Sequence, residues 1–419
     1  MRFQAIKSLA KIVVCAAIAL TSCAGGSTAS LGLFPHVSSN AMGGVQRHAQ
    51  RFSIPTCSGK GSSAFVGGDD SNVAGGAVSA VLGGAFNQAC DVGSGIGVGT
   101  SNAVSSGNNS AALSMIGSGS GNVITGAASF IGSGVENAVN AAGATFIGGG
   151  YENEIVGGTF TNASAYGAIA GGENNTIQAL GAYGGFDAFI GAGYNNTNEG
   201  QYGVIGGGAG NTVNASWATI GGGSTNQATG NYATVPGGNM NVASGTVSFA
   251  AGNNAVAANV GAFVWSDASG TQVSSTGPNQ FVARATGGFT FYTNSGNSVG
   301  AMLSPGSGTW ASLSDRTQKR DIAVIDTGRV LSEIAALPIS EWSYISEPHV
   351  RHVGPMAQDF YAAFKVGEDN RHITSIDETG VALAAIKALN VKNARLEESV
   401  QTLQREVSAL QSEVAAIRR

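Results

Sequence analysis

Residues 205–249 read IGGGAGNTVNASWAT, IGGGSTNQATGNYAT and VPGGNMNVASGTVSF when the chain is broken at Ile205, Ile220 and Val235. Each line opens on an aliphatic residue, runs through glycines and small residues, and reaches Asn six positions on, at Asn211, Asn226 and Asn241. The signature extends back through Ile190, Ile169, Ile147, Ile131, Ile116, Ile96 and Val81 to Val66. The successive steps are 15, 15, 20, 15, 16, 22, 21, 15, 15 and 15 residues. Fifteen residues hold two short strands and two tight turns, one coil of a β-solenoid. Gly and Asn supply the left-handed backbone conformations such turns need. One aliphatic per coil at a fixed place lets stacked coils bury a continuous stripe. At about 4.7 Å per coil the stack is expected to be roughly 50–60 Å long. The longer steps after Ile96, Ile147 and Ile169 are expected to bulge as loops on one face. The fold class is therefore mainly β: a repetitive roll over 61–258, a small β neck over 259–311, and a different C-terminal module.

The repeats resemble the head repeats of trimeric autotransporter adhesins, although those step by about fourteen residues. The resemblance implies single-chain rolls packed as a homotrimer. A roll with one thin stripe has little core of its own, which favours the same conclusion; a wider monomeric solenoid is the alternative. Lone copies such as IGGGAGN mimic a phosphate-cradling loop but lack the following amphipathic helix. Asp69-Asp70 reads as a solvated turn rather than a calcium site, because the aspartate does not recur. Neither metal nor cofactor is expected.

Charge is unevenly placed. The net charge is -5, yet no Lys or Arg lies between Lys60 and Arg284, where ten acidic residues do. That stretch would repel phosphates, so nucleic acid is not an expected partner. From Ala311 onward there are 13 basic and 15 acidic residues, which marks a separate module.

The start, MRFQAIKSLAKIVVCAAIALTSC, has a basic segment and an apolar run, Ile12 to Leu20, too short to span a bilayer. Leu20-Thr21-Ser22-Cys23 resembles the bacterial lipobox. The resemblance implies a signal peptide over 1–22, lipidation of Cys23, a membrane partner through that lipid, and a tether over 23–60 at the outer membrane or cell surface. An ordinary signal cut near Ala24 is the alternative. Cys57 and Cys90 either pair, as an oxidising compartment permits, or stay as buried thiols.

FVWSDASG (263–270) and QFVARATGGFTFYT (280–293) alternate as strands do, with Trp265, Phe281, Phe289, Phe291 and Tyr292 as core or interface residues. From Ser314 the text changes to SDRTQKRDIAVIDTGRVLSEIAALPISEWSY, HVGPMAQDFYAAF and ITSIDETGVALAAIKAL. These segments resemble the peptidase S74 or intramolecular chaperone domain found at the ends of phage endosialidases, tail fibres and bacterial surface fibres. The resemblance spans 312–388 and implies a Ser–Lys dyad, Ser314 and Lys319, cutting the chain once between Leu313 and Ser314. His352 falls on the family His, with Asp315, Gly354, Ala357 and Gln358 matching; Pro355 and Asp359 depart from the pattern. A serine hydroxyl needs a base to take its proton. A lysine serves only when desolvation or neighbouring cations favour its neutral form, and Arg320 is a candidate neighbour. A spacing of five does not align side chains on a helix, so Arg316-Thr317-Gln318 is expected to form a turn.

The last segment, 389–419, reads as a coiled coil. Ile386, Asn393, Val400, Val407 and Val414 hold one heptad position; Leu389, Leu396, Leu403, Leu410 and Ile417 hold the other. Val with Leu leans to a dimer, whereas the two resemblances imply a trimer. The reading that follows is a lipid-anchored surface fibre, structural or adhesin-like, with a surface glycan or host ligand as possible partner. Its chaperone aligns the chains, since a slip by a whole coil would leave most of the pattern matched. A carbohydrate-active or carbohydrate-binding fibre of phage tail-fibre origin is the alternative; the scattered acidic residues show no repeated pair of the kind glycoside hydrolysis uses.

Overall fold

A computed structural model describes residues 55–141, 143–157, 166–179 and 184–418. All the described residues belong to one compact unit, which begins at 54. The expected signal peptide, Cys23 and most of the tether lie outside the described residues.

The repeats form a parallel β-solenoid. Each coil gives one short strand to a first sheet and one to a second. The stacking register follows the sequence period: Thr219 and Ile220 pair with Thr234 and Val235 in the first sheet, and Gln227 and Ala228 with Val242 and Ala243 in the second. Ile205, Ile220 and Val235 are fully buried, as the aliphatic period requires. A second inward row faces them, including Ile124, Ile155, Ile177 and Val213, also fully buried. The core thus has two opposed rows where the sequence suggested one stripe.

The recurring asparagine does not do what turn chemistry suggests, although Asn174 (φ 55) and Asn195 (φ 54), each just before one of its copies, do. None of the recurring residues from Asn72 to Asn241 has a positive φ; the residue before takes it instead, as at Glu152 (φ 52), Thr225 (φ 56) and Met240 (φ 54). The asparagine is buried and hydrogen-bonds its counterparts above and below. Asn211 donates from its backbone N and from Nδ2 to Asn196 Oδ1, both at 3.0 Å, and Nδ2 also donates to the Gly207 and Gly223 carbonyls at 3.0 Å. The bonds from one asparagine to the next recur from Asn72 to Asn241, which makes a ladder along that part of the solenoid. From Val81 to Val235 the third position after the aliphatic is glycine with positive φ. Gly208 sits at φ +93, and a Cβ there would lie 2.1 Å from the carbonyl oxygen of Gly223.

The three extra segments all fall in the connection from a second-sheet strand to the next first-sheet strand. The first is pinned by Asp91, whose Oδ2 accepts from Ser106 N (3.1 Å), Ser106 Oγ (2.6 Å) and Ala111 N (2.8 Å). At the start of the stack Cys57 and Cys90 form a disulfide. Gly75 lets Cys57 approach, since a Cβ there would sit 2.8 Å from its Sγ.

The solenoid does not end at 258. Phe249–Asn253 pairs with Phe263–Ser266, which pairs with Phe281–Arg284, so the first part of the expected neck is a continuation of the coils. Arg284 closes this end, donating from Nε to Asp267 Oδ1 at 3.2 Å and from Nη2 to Ser266 Oγ at 2.7 Å. The Ser269 hydroxyl and the Thr286 backbone N–H hold the Asp267 carboxyl far below the usual carboxylate range. A depressed value in the folded state stabilises above the usual range and is lost as pH falls through the folded value. Amides of 281–286 are therefore expected to lose exchange protection in strong acid, and Asp267→Asn to flatten that pH dependence.

The rest of the neck is an antiparallel sheet of Phe289–Tyr292, Gly300–Leu303 and Trp310–Ser312. Phe281, Phe291 and Tyr292 are more than half exposed, so they are not core residues of the single chain. The C-terminal module has helices α1 (Thr327–Ala336), α2 (Ala357–Phe364) and α3 (Ser375–Ile417). Val330, Phe360, Phe364, Val381, Ala384 and Ala385 form its core. Burial on α3 ends at Ala388, so one helix first packs in the module and then leaves it as the expected coiled-coil segment.

Candidate functional site

Ser314 follows the last neck strand, and beyond Asp315 the residues Arg316–Gln318 make one 3-10 turn. Asp315 caps it: Oδ1 accepts from Thr317 N at 2.8 Å, and its backbone carbonyl from Gln318 N at 3.2 Å. The Thr317 N–H holds the Asp315 carboxyl below the usual range, so it stays an acceptor at neutral pH. The turn carries Lys319 back over Ser314, and Lys319 Nζ lies 2.6 Å from Ser314 Oγ. A spacing of five that no helix would align is thus closed by a capped turn.

Both side chains of this pair are exposed in the single chain. Arg320 Nε is 3.6 Å from Asp321 Oδ2, with both side chains almost fully exposed. Leu313, the residue before Ser314, is 44% exposed.

His352 lies elsewhere in the module's architecture. It sits on the strand His352–Gly354, opposite Trp342 of Ser340–Trp342. Its ring stacks on Trp342 with centroids 4.7 Å apart and meets Tyr344 edge-on at 5.5 Å. Nε2 is buried without a hydrogen-bond partner. Among the described residues no hydrogen bond joins His352 to Ser314 or Lys319. Gly354 ends that strand, with a Cβ there 4.0 Å from Trp342 Nε1, and Ala357 and Gln358 open α2. These matched residues shape the hairpin and the helix start. The Trp342–Tyr344 clamp around His352 was not singled out beforehand; the aromatic pair in EWSY is its only trace in the sequence.

Residues 314–366 match the model of the peptidase S74 family, described as the chaperone of endosialidase. Its first matched residue is Ser314, the serine that the turn brings onto Lys319. No curated protein matches the chain. The chain is thus a β-solenoid followed, near its C-terminus, by a segment similar to the chaperone of endosialidase.

Proposed function

We propose that the chain assembles as a homotrimeric surface fibre whose C-terminal module aligns three copies and then cuts itself off between Leu313 and Ser314. The observation that carries the reading is the 2.6 Å contact of Lys319 Nζ with Ser314 Oγ inside the matched segment. With its amine neutral, Lys319 accepts the Ser314 hydroxyl proton, and Oγ adds to the Leu313 carbonyl carbon. Collapse breaks the C–N bond, passes the proton to nitrogen, and leaves Leu313 as an ester on Ser314. Water then hydrolyses the ester, giving a Leu313 carboxylate and a new N-terminus at Ser314. The exposed pair needs desolvation before the amine favours its neutral form. Assembly supplies that cover, so cutting waits for correct alignment.

Support for assembly comes from α3, which leaves Leu396, Val400, Leu403, Val407 and Leu410 exposed along one seam. An isolated helix does not keep such a seam in water. Export and lipid attachment at Cys23 belong to the same reading, and the Cys57–Cys90 disulfide fits an oxidising compartment. The fibre's role is structural or adhesive at the cell surface, its glycan or host ligand being set by the outward corners of the coils.

The test is the intact mass of the folded full chain. Two fragments that meet at Leu313 and Ser314 are expected; one uncut chain in a sample of trimer mass would refute cleavage. Loss of a cap costs about 1 kcal/mol. Asp315→Ala is therefore expected to lengthen the cleavage half-time several-fold, while Asp315→Asn, which still accepts from Thr317 N, keeps most of the rate.

A further inference from the structure

The outer face of the first sheet carries two rows, formed by the residues just before and just after each inward aliphatic. They run over fourteen strands, from Phe65 and Gly67 to Phe281 and Ala283, and contain no Asp, Glu, Lys, Arg or His. The preceding row carries bulky apolar side chains that face solvent in the single chain, among them Met115 (45% exposed), Phe130 (37%), Phe146 (43%) and Phe189 (41%), with small members at Ala80, Gly95 and Ala168. Phe130 stacks on Phe146 at 5.9 Å and Phe249 on Phe263 at 4.4 Å. The following row is mostly glycine, which leaves the sheet open beside those rings. The second sheet's outer face differs, with Gln88, Glu154, Thr176, Thr212 and Gln227. An uncharged apolar strip of this length on one face only marks a contact surface.

We propose that this first-sheet face is where copies of the chain pack about a common axis. The proposal rests on the trimeric reading above. The exposed heptad seam of α3 fits parallel copies in register. Parallel copies about a rotation axis bring each residue of an axis-facing row against its own counterparts. A charge in such a row would meet itself, and the row has none. The area is sufficient: fourteen coils at about 4.7 Å, on a strip roughly 10–12 Å wide, give roughly 700 Å² per chain, close to the ~800 Å² that stable partners each bury.

The test uses the full chain with one added cysteine, under mild oxidation, read on a non-reducing denaturing gel beside the native mass. Thr219→Cys is nearly isosteric and lies in the row; Phe146→Cys samples a second coil; Gln227→Cys lies on the second sheet. Thr219→Cys and Phe146→Cys are expected to give a band of twice the mass of the piece that ends at Leu313, and Gln227→Cys and the parent none. Linking through Gln227→Cys, or none through Thr219→Cys in a sample of trimer mass, would overturn the assignment of the face. A native mass of one chain would instead overturn the assembly reading, and this inference with it.

Discussion

Lys319→Arg is expected to leave the chain uncut at Leu313–Ser314, as Ser314→Ala does. Arginine keeps the positive charge and can still donate to Ser314 Oγ, so an electrostatic or purely structural role for Lys319 would survive the change. It cannot give up its proton in a protein, so a role as base would not. General-base assistance contributes about 10²–10⁴ in rate. The cleavage half-time should therefore lengthen by at least about a hundredfold, read as uncut chain on a denaturing gel. In the parent the rate should rise with pH, because only the neutral amine accepts the proton. Lys319→Arg and Ser314→Ala should both keep the native mass of an uncut trimer, since no core residue of the module changes. A chain that is cut normally with arginine at 319 would remove lysine from the chemistry.

The 15-residue step made the coils legible, because the backbone pairs at that same offset. The last coils escaped notice for a reason visible in their residues. There the inward position passes from Val235 to Ala250, Val264 and Val282, and no Asn follows six residues after Ala250. The strands still pair, but the side-chain signature that advertised them is gone. Asparagine was misread because its commonest local use is the left-handed turn. In a parallel stack an identical amide at an identical place can bond to itself along the axis, and stacked Asn ladders follow from that. The same alignment held a further row: Tyr202, Trp217 and Tyr232 recur at 15 residues and stack at 5.4 and 5.0 Å on an exposed corner. At the candidate site the motif named Ser314 and Lys319, but only the capped turn shows how they meet. His352 was legible as a motif residue, whereas its place against Trp342 depends on hairpin register, which local sequence does not specify.

Asn211→Ala should be among the most damaging single changes in the solenoid. The side chain donates to Asn196 Oδ1, Gly207 O and Gly223 O, and its Oδ1 accepts from the backbone N of Asn226 at 3.0 Å and from Asn226 Nδ2 at 3.1 Å. Alanine leaves the Asn226 backbone N without that acceptor, and two carbonyls without that donor. Gly223 O still accepts from Ala209 N at 2.9 Å, so the Asn226 N–H and the Gly207 carbonyl are the two groups left unsatisfied; at about 1–3 kcal/mol each the loss should reach about 2–6 kcal/mol. Because each coil touches only its neighbours, the break should be local, with exchange protection lost first on the coils around 205–241. Gln227→Ala, one residue after the ladder on the exposed second-sheet face, should stay within about 0.5 kcal/mol. Asn211→Asp is the sharper variant, because shape is kept while donation is lost. Its carboxylate would face three acceptor oxygens where Nδ2 now donates, so burial and repulsion would raise its folded-state value. The protein would then gain stability as pH falls toward that value, the reverse of the acid loss expected at Asp267. Melting Asn211→Asp at neutral and mildly acidic pH reads the sign directly. Equal melting of Asn211→Ala and the parent would show that the ladder is not what holds the coils in register.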